Sequence, residues 1–414
     1  MKLTDKVVIK PSHQNYRQLR DLCHLSKNLY NASLYDVRQH YFDTKKYKTW
    51  QTQRPQFSGA NPDYCALPAK IAGEVLRDVA RDFSSFFALL KKKKSGTYNK
   101  NVRLPRYKKK DGTHVVTVPK DALSKKVIQT GELYKHTICP SSLNVQFMSR
   151  HKDIVQVKIV PKNGYIVLHI IYEVPDTSPR EDNHRYLSID PGVNNFATVV
   201  TNTGDRPLVY SGGAIKSTNQ YYNKKRAQYM SLLMKNNKEV NITQCRRTSK
   251  RIQKLTYKRN NKINWFIHQI SSSVVNYAVS HNINTVIVGY NNNWKQNITL
   301  GKRNNQNFVQ IPFMTFVSQL EYKCARSGLR FIVTEESYTS KCSFLDRESV
   351  RKHSTYAGKR VHRGLFTSSD GHMINADVNG AYNIMRKVVP DEYVYIKGIE
   401  DGAVHPVKVK YYSS

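Results

Sequence analysis

The chain has 414 residues, with 67 Lys or Arg against 30 Asp or Glu, a net charge of +37. That length allows two or three domains with at least one sizeable core. The composition excludes collagen, coiled coil and acidic disorder, and no apolar run reaches the ~20 residues of a membrane span. A charge of this size beside 27 tyrosines calls for a polyanionic partner, with nucleic acid the first candidate. No amphipathic anchor or lipidation motif favours a membrane. The opening MKLTDKVVIK carries no apolar signal segment, and the six cysteines form no CxxC pair. A cytoplasmic protein with reduced thiols, neither secreted nor membrane-bound, is the expectation.

In chain order, residues 5–10 read as a short strand. From Tyr16 to Tyr41, Leu19, Leu22, Cys23, Leu29, Tyr30, Leu34 and Val37 recur near a period of 3.6 and predict a helix. A second helix is predicted over 66–90, with Leu67, Ile71, Val75, Val79, Phe83, Phe86 and Phe87 on one core-packing stripe. The basic run from Lys91 to Gly112 follows, where Tyr98, Pro105 and Tyr107 interleave with cations, as in loops that track a nucleic-acid backbone. Residues 113–175 alternate like strands (HVVTVP, SLNVQFM, DIVQVKIV, YIVLHIIYEV). With the N-terminal strand they predict a β-barrel-like domain interrupted by the helical segment. After a polar linker at 177–184, an α/β pattern begins. It comprises YLSID, FATVVTN, a very basic helical region over about 217–282, TVIVGY, a helix near 312–327, LRFIVT and a last helix after Asp377.

The acids of this second half stand at the ends of elements. Asp190 closes the strand LSID, and Pro191 and Gly192 stop it. Asp377 precedes VNGAYNIMRKV, where Val378, Ala381, Met385 and Val388 mark a packed face, so it lies at a helix N-terminus favoured by the dipole. Taken singly, Asp377 reads as a helix N-cap and Asp190 as a turn residue. Together, framing an α/β domain in a chain this basic, they suit Mg²⁺ (two ions, with Mn²⁺ as an alternative) and phosphodiester hydrolysis.

Two ions need a third acid, yet no Asp or Glu occurs between Glu239 and Glu321, and the central strand ends in Gly289 and Tyr290. The next strand, LRFIVTEESYTS, ends in Glu335 and Glu336, and adjacent strands lie about 4.8 Å apart. A glutamate there reaches the same place. Alternation along a strand points only one of the two at the metals, with Glu336 slightly favoured over Glu335.

LSIDPGVNNFATVV resembles the first RuvC-type motif of TnpB, the nuclease family of bacterial insertion sequences. EESYTSKCSFLD and INADVNGAYNIMRKV resemble its later motifs. SKNLYNASLYDVRQHYF, LPAKIAGEVLRDVARDFSSFFALLKK and LPRYKKKDG resemble its N-terminal half. The resemblance implies an RNA-guided DNA endonuclease related to type V CRISPR effectors and Fanzor proteins. It implies a wedge β-barrel with a helical recognition insertion, joined to an RNase H-like RuvC domain. The boundaries are then 1–15 for the first barrel strand, 16–100 for the helical insertion and 101–182 for the rest of the barrel and linker. The nuclease domain spans 183–390 and a tail 391–414, the tail expected to contact RNA or to be partly disordered. By position, Asp190 and Asp377 become the first and third catalytic acids and metal ligands, with Glu336 or Glu335 as the second. Cleavage would leave a 5′ phosphate and a 3′ hydroxyl.

This sequence departs from the family pattern in two ways. Gly289 stands where the family's usual second glutamate falls, which some members compensate from the next strand and others, acting as guided repressors, do not. Of the four-cysteine zinc ribbon only Cys342 remains, with Leu345, Thr367 and Asp370 near the other places, so no zinc is expected. The implied partners are a guide RNA from the element's own transposon end and double-stranded target DNA beside a short adjacent motif. The oligomeric state is open and a monomer suffices. An RNA–DNA heteroduplex is held by backbone and shape, which calls for dispersed cations. Lys91, Lys92, Lys93, Lys94, Arg106, Tyr107, Lys108, Lys109, Lys110, Arg246, Arg247, Lys250, Arg251 and Lys254 are the candidates, with Lys224, Lys225, Arg226, Lys258 and Arg259 nearby. Tyr16, Tyr30 and Tyr41 fit either base stacking or core, and Asn194 and Asn195 either substrate orientation or a turn. The rival functions are a nuclease-dead guided DNA-binding protein and, more remotely, a DNA-joining transposase, for which no tyrosine nucleophile with paired histidines is evident.

Overall fold

The structure is a computed structural model and describes residues 1–130, 133–140, 143, 145–151, 153–236, 248–291, 309–362, 364–395 and 405–411. The chain divides into two compact units, Met1–Pro175 and Asp176–Ser414.

In the first unit, β1 (Lys2–Ile9) pairs antiparallel with β7 (Tyr165–Glu173), from Lys2 opposite Glu173 to Ile9 opposite Ile166. β6 (Ile154–Lys162) and β2 (Val116–Pro119) complete a four-stranded sheet in the order β1-β7-β6-β2. The helices α1 (Tyr16–Thr44), α2 (Trp50–Phe57), α3 (Pro62–Cys65) and α4 (Ala69–Lys94) lie between β1 and β2 in sequence. The expected apolar stripe is the buried face of α1, where Leu19, Cys23, Leu29, Tyr30 and Leu34 are all within 1% of full burial. Tyr30 is therefore core, its hydroxyl donating to Asp82 at 2.5 Å. In α4, Ile71, Val75, Val79 and Phe83 are equally buried, each stabilising the fold by about 1.5–3 kcal/mol. The remaining strands β3 (Leu123–Thr130), β4 (Leu133–Pro140) and β5 (Phe147–Ser149) form a separate three-stranded sheet. The strands expected to make one barrel thus divide between two sheets.

The second unit is built on a six-stranded sheet in the order β12-β11-β8-β9-β10-β16. β8 (Tyr186–Pro191), β9 (Asn195–Thr201) and β10 (Leu208–Ser211) form an antiparallel meander. β11 (Thr285–Gly289) joins β8 in parallel, and β12 (Arg330–Thr334) joins β11 in parallel. α5 (Gly213–Asn236) and α6 (Lys250–Ser280) connect β10 to β11, and α7 (Phe313–Arg326) precedes β12. The short strands β13 (Lys359–His362), β14 (Leu365–Thr367) and β15 (Met373–Asn375) lead into α8 (Ala376–Arg386) and α9 (Asp391–Val394). In the tail, β16 (Val407–Val409) pairs with β10 as a parallel edge strand.

The sheet has two covered faces, and strand alternation assigns each residue to one of them. Leu187, Ile189, Val286 and Val288 pack with α6 and α7. Tyr186, Val200 and Ile287 pack instead with α8 residues Val378, Ala381 and Ile384. By the same period of two, Asp190 and Gly289 belong to the α8 face. The Ser188 hydroxyl, two residues before Asp190, donates to Ala381 O of α8 at 2.5 Å.

Candidate active site

Asp190 sits at the C-terminal end of β8, on the face covered by α8. An ideal Cβ built on Gly380 would lie 2.8 Å from Asp190 Oδ2, so the carboxylate presses directly against the helix backbone. α8 is capped by Asn375, whose Oδ1 accepts from the amides of Asp377 and Val378 at 3.0 and 3.2 Å. With the cap supplied by its neighbour, the Asp377 side chain is free for other work. It accepts from Asn195 Nδ2 at 2.7 Å and pairs with Arg360 Nη2 at 3.2 Å.

The two candidate glutamates separate cleanly. Glu335 is exposed, accepts from the Ser337 amide at 2.6 Å and pairs with Lys387 Nζ at 3.2 Å. Glu336 turns inward, toward Asp190. A Cβ on Gly289 would meet Glu336 Cγ and Oε1 at 2.7 Å and Ile384 Cδ1 at 2.5 Å. Glu336 therefore fills the space that a side chain on the central strand would occupy. Its Oε1 is buried and has no hydrogen-bond partner.

Electrostatics tie these acids together. Burial first, and then repulsion from Asp377, push the Asp190 carboxyl well above the usual carboxylate range. Burial first, and then repulsion from Asp190, do the same to Glu336, with Lys387 opposing weakly. Asp377 thus raises Asp190, and Asp190 raises Glu336, so the three acids form one coupled group of the kind that clusters at functional sites. Among the described residues no group of three His, Cys, Asp or Glu side chains is arranged to hold a metal ion, and Asp377 is engaged by Arg360 and Asn195. The orphaned Glu336 oxygen, the cradle at Gly289 and an all-oxygen donor set nonetheless fit a hard divalent cation.

Arg360 carried no signal in the sequence, because its exposed four-residue strand shows neither periodicity nor motif. The supporting asparagines are clearer. Asn379 and Asn383, fully buried on α8, both donate to Cys342 O, at 2.9 and 2.7 Å, and pin the segment that follows Glu336 onto the helix. Asn194 Oδ1 accepts from Lys216 Nζ at 2.6 Å, fixing the turn from which Asn195 reaches Asp377.

The basic candidates lie in both units. In the first, Lys91, Lys92, Lys93 and Lys94 are exposed on the last turn of α4, where cations also suit the helix dipole. The 106–110 loop is fastened to α1 through its backbone. Asn31 exchanges hydrogen bonds with Lys108 N and O, and Lys27 Nζ donates to Lys110 O at 2.8 Å. Arg106, Lys109 and Lys110 are left exposed, Lys108 lies over the Tyr30 ring and Arg38 over Tyr107. In the second unit Lys250, Arg251 and Lys254 are exposed on α6, whereas Arg246 and Arg247 lie outside the described residues.

Residues 169–295 match the OrfB_IS605 family, described as a probable transposase, and residues 313–384 match the Cas12f1-like TNB domain. The TnpB-like protein ORF457 of Acidianus two-tailed virus is 24% identical over 418 residues, covering 93% of this chain and 86% of the relative. Together these matches support a member of the TnpB family. Its fold is similar to that of the Cas12f1 protein in a Cas12f1–sgRNA–target DNA complex, with a TM-score of 0.57 at 16% identity, over 91% of this chain and 82% of the other. It is also similar to the mini-RNA-guided endonuclease CRISPR-Cas_phi3, with a TM-score of 0.52 at 10% identity, over 93% and 92%. Gly289 lies within the first matched region and Glu336 within the second.

Proposed function

We propose that this TnpB-family protein is an RNA-guided DNA endonuclease whose RuvC-type, RNase H-like second unit cuts target DNA with divalent metal ions. The observation that carries the reading is the inward-turned Glu336, filling the space above Gly289 beside Asp190 with a buried, unpartnered oxygen. A protein that had lost catalysis would have no reason to keep two mutually repelling carboxyls desolvated, an arrangement that costs stability.

Asp190, Glu336 and Asp377 would hold the ions, with Asp190 between the other two in the chain of electrostatic coupling. When bound, Mg²⁺ or Mn²⁺ supplies Lewis acidity toward the phosphodiester and a lowered pKa for water. Asn195 orients Asp377 by donating to Oδ2. Arg360 pairs with Asp377 Oδ1, and its guanidinium would be available to bind a phosphate if that carboxylate instead held an ion. In each unit the exposed cations would follow the guide RNA and its heteroduplex by their backbones.

The test is cleavage by protein co-purified with RNA from its own locus, on a target beside randomised flanking sequence. Mg²⁺-dependent cutting that Asp190→Ala abolishes supports the proposal. Guided binding with no cutting would make the protein a targeting factor instead. Arg360→Ala should lower the cleavage rate roughly a hundredfold, the scale of removing one transition-state charge donor. It should also tighten metal binding, because the competing ion pair at Asp377 is gone. Unchanged cleavage would remove Arg360 from the mechanism.

A further inference from the structure

A cleft of about 670 Å³ lies between α5 and α6, remote in sequence from the acids. That volume is in the ~300–1,000 Å³ range of sites for small molecules and nucleotides. Tyr221, Tyr222 and Tyr229 contribute its aromatic surface, and Arg251, Lys254, Lys258, Arg259 and Lys262 its charge. No carboxylate stands among these lining residues. Indeed neither α5 nor α6 contains a single Asp or Glu along its length. A solvated helix pair of this charge would ordinarily carry acids at i+3 or i+4 to offset the repulsion. Among the described residues neither helix supplies an acid to offset it, and an outside polyanion would.

The tyrosines decide what kind of polyanion. Tyr222 is built into the wall, its hydroxyl 3.2 Å from Thr256 Oγ1 and its ring under Arg259, which is itself fixed by Asn219 Oδ1 and Gln310 O at 2.8 Å each. Tyr221 is different: 60% of its surface is exposed, which leaves most of its ring open to a ligand. A duplex presents phosphates but hides its base faces, and would leave these rings unused. An unpaired strand offers both backbone and bases, and stacks on aromatic rings whatever its sequence.

The cleft adjoins a second cavity. Ser217 and Lys262 line both it and that cavity of about 340 Å³ at the start of α5, which Lys410 and Tyr411 help to enclose. The first turn of α5 carries Lys216, bound to Asn194, beside the Asn195 that holds Asp377. We infer that the α5–α6 cleft is a slot for an unpaired segment of nucleic acid, its bases stacking on Tyr221 and Tyr229 and its phosphates running along Arg251, Lys254, Lys258 and Lys262. The choice of polymer rests on the function proposed above, and the slot deepens it by separating a single-strand path from the heteroduplex contacts.

The experiment uses the full chain in EDTA, so that cleavage plays no part and its failure is scored separately. The probes are oligothymidylate and oligouridylate of about twelve nucleotides, within the span of such sites, and a DNA duplex of about the same length. Each probe carries 5-iodouracil for photo-crosslinking. Crosslinks from the single strands should map to Tyr221 or Tyr229 and disappear when the iodouracil is paired. Replacing both rings, Tyr221→Ala with Tyr229→Ala, should raise the Kd of single strands roughly tenfold and change duplex binding less than about twofold. The Tyr221→Phe, Tyr229→Phe pair should retain wild-type affinity, which guards against a folding defect. Lys254→Gln with Lys258→Gln should weaken all probes and flatten the salt dependence by about two phosphate contacts. A larger loss for oligothymidylate points to the DNA strand, and a larger loss for oligouridylate to guide RNA. Crosslinks only outside the cleft, or equal losses on duplex and single strands in the alanine pair, overturn the inference.

Discussion

Glu336→Gln should reduce Mg²⁺-dependent cleavage at least about a thousandfold, the scale of losing a group on which the reacting centre depends, while Glu335→Gln stays within a few-fold of wild type. The two residues are adjacent, but only Glu336 turns toward Asp190, and Glu335 is spent on the Lys387 ion pair at the surface. A second readout needs no activity. In the metal-free fold the Glu336 carboxyl is pushed up to about 9, first by burial and then by Asp190, from 4.5 in the unfolded chain. A pKa raised in the fold means that the unfolded chain ionises first as pH rises. Stability is therefore full below about 4.5 and declines toward about 9, by at most about 1.4 kcal/mol per unit. Near pH 7.5 the neutral amide should make metal-free Glu336→Gln more stable than wild type by up to about 4 kcal/mol, an advantage that vanishes toward pH 4.5. Millimolar Mn²⁺ should reverse the order, stabilising wild type and leaving the variant unmoved. Thermal unfolding across pH, with and without metal, checks both. A variant less stable than wild type at every pH would mean that Glu336 is a structural partner and not a ligand in waiting.

Much of this site was readable from the chain. Asp190 lies at a strand end because LSID is apolar and Pro191 and Gly192 follow it. Asp377 lies at a helix start because the α8 stripe begins one residue later. The absence of any acid between Glu239 and Glu321 narrowed the third ligand to two neighbours. Alternation favours Glu336, the one that turns toward Asp190, because Ile332 on β12 faces α8 while Phe331 faces the other side, and Glu336 shares the parity of Ile332. Sequence periodicity did not carry the same weight everywhere. α2 and α3 escaped notice because eight residues containing Pro55 and four residues beginning at Pro62 are too short for a helical stripe to show. Arg360 and β16 depend on long-range partners: Asp377 is 17 residues from the first, and β10 some 200 from the second. Local pattern has no access to such pairings. The same limit hid the α5–α6 cleft, whose tyrosines and cations are conspicuous as composition but acquire a shape only when two helices lie side by side.

Gly289 is where sequence and geometry meet most sharply. Gly289→Ala adds one methyl group and should lower cleavage roughly a hundredfold with little loss of stability. The added carbon would stand 2.5 Å from Ile384 Cδ1 and 2.7 Å from Glu336 Cγ and Oε1. All three atoms belong to movable side chains, so the fold yields by rotating them. What is lost is the placement of one carboxylate, and a displacement of about 1 Å can cost a hundredfold in rate. The loss should therefore appear in the rate of cutting and in metal affinity, with guided DNA binding unchanged. The converse substitution is more telling. Glu336→Ala vacates the space above Gly289, and Gly289→Asp would then place its oxygens two bonds beyond a Cβ that lies 2.7 Å from the present Glu336 Oε1. The double variant should recover at least about tenfold over Glu336→Ala alone, by returning the acid to the central strand. Recovery would show that the two strands supply one and the same ligand position. If Gly289→Ala cuts as well as wild type, the close approach of Glu336 to the central strand has no part in catalysis, and the glycine serves only the packing of Ile384.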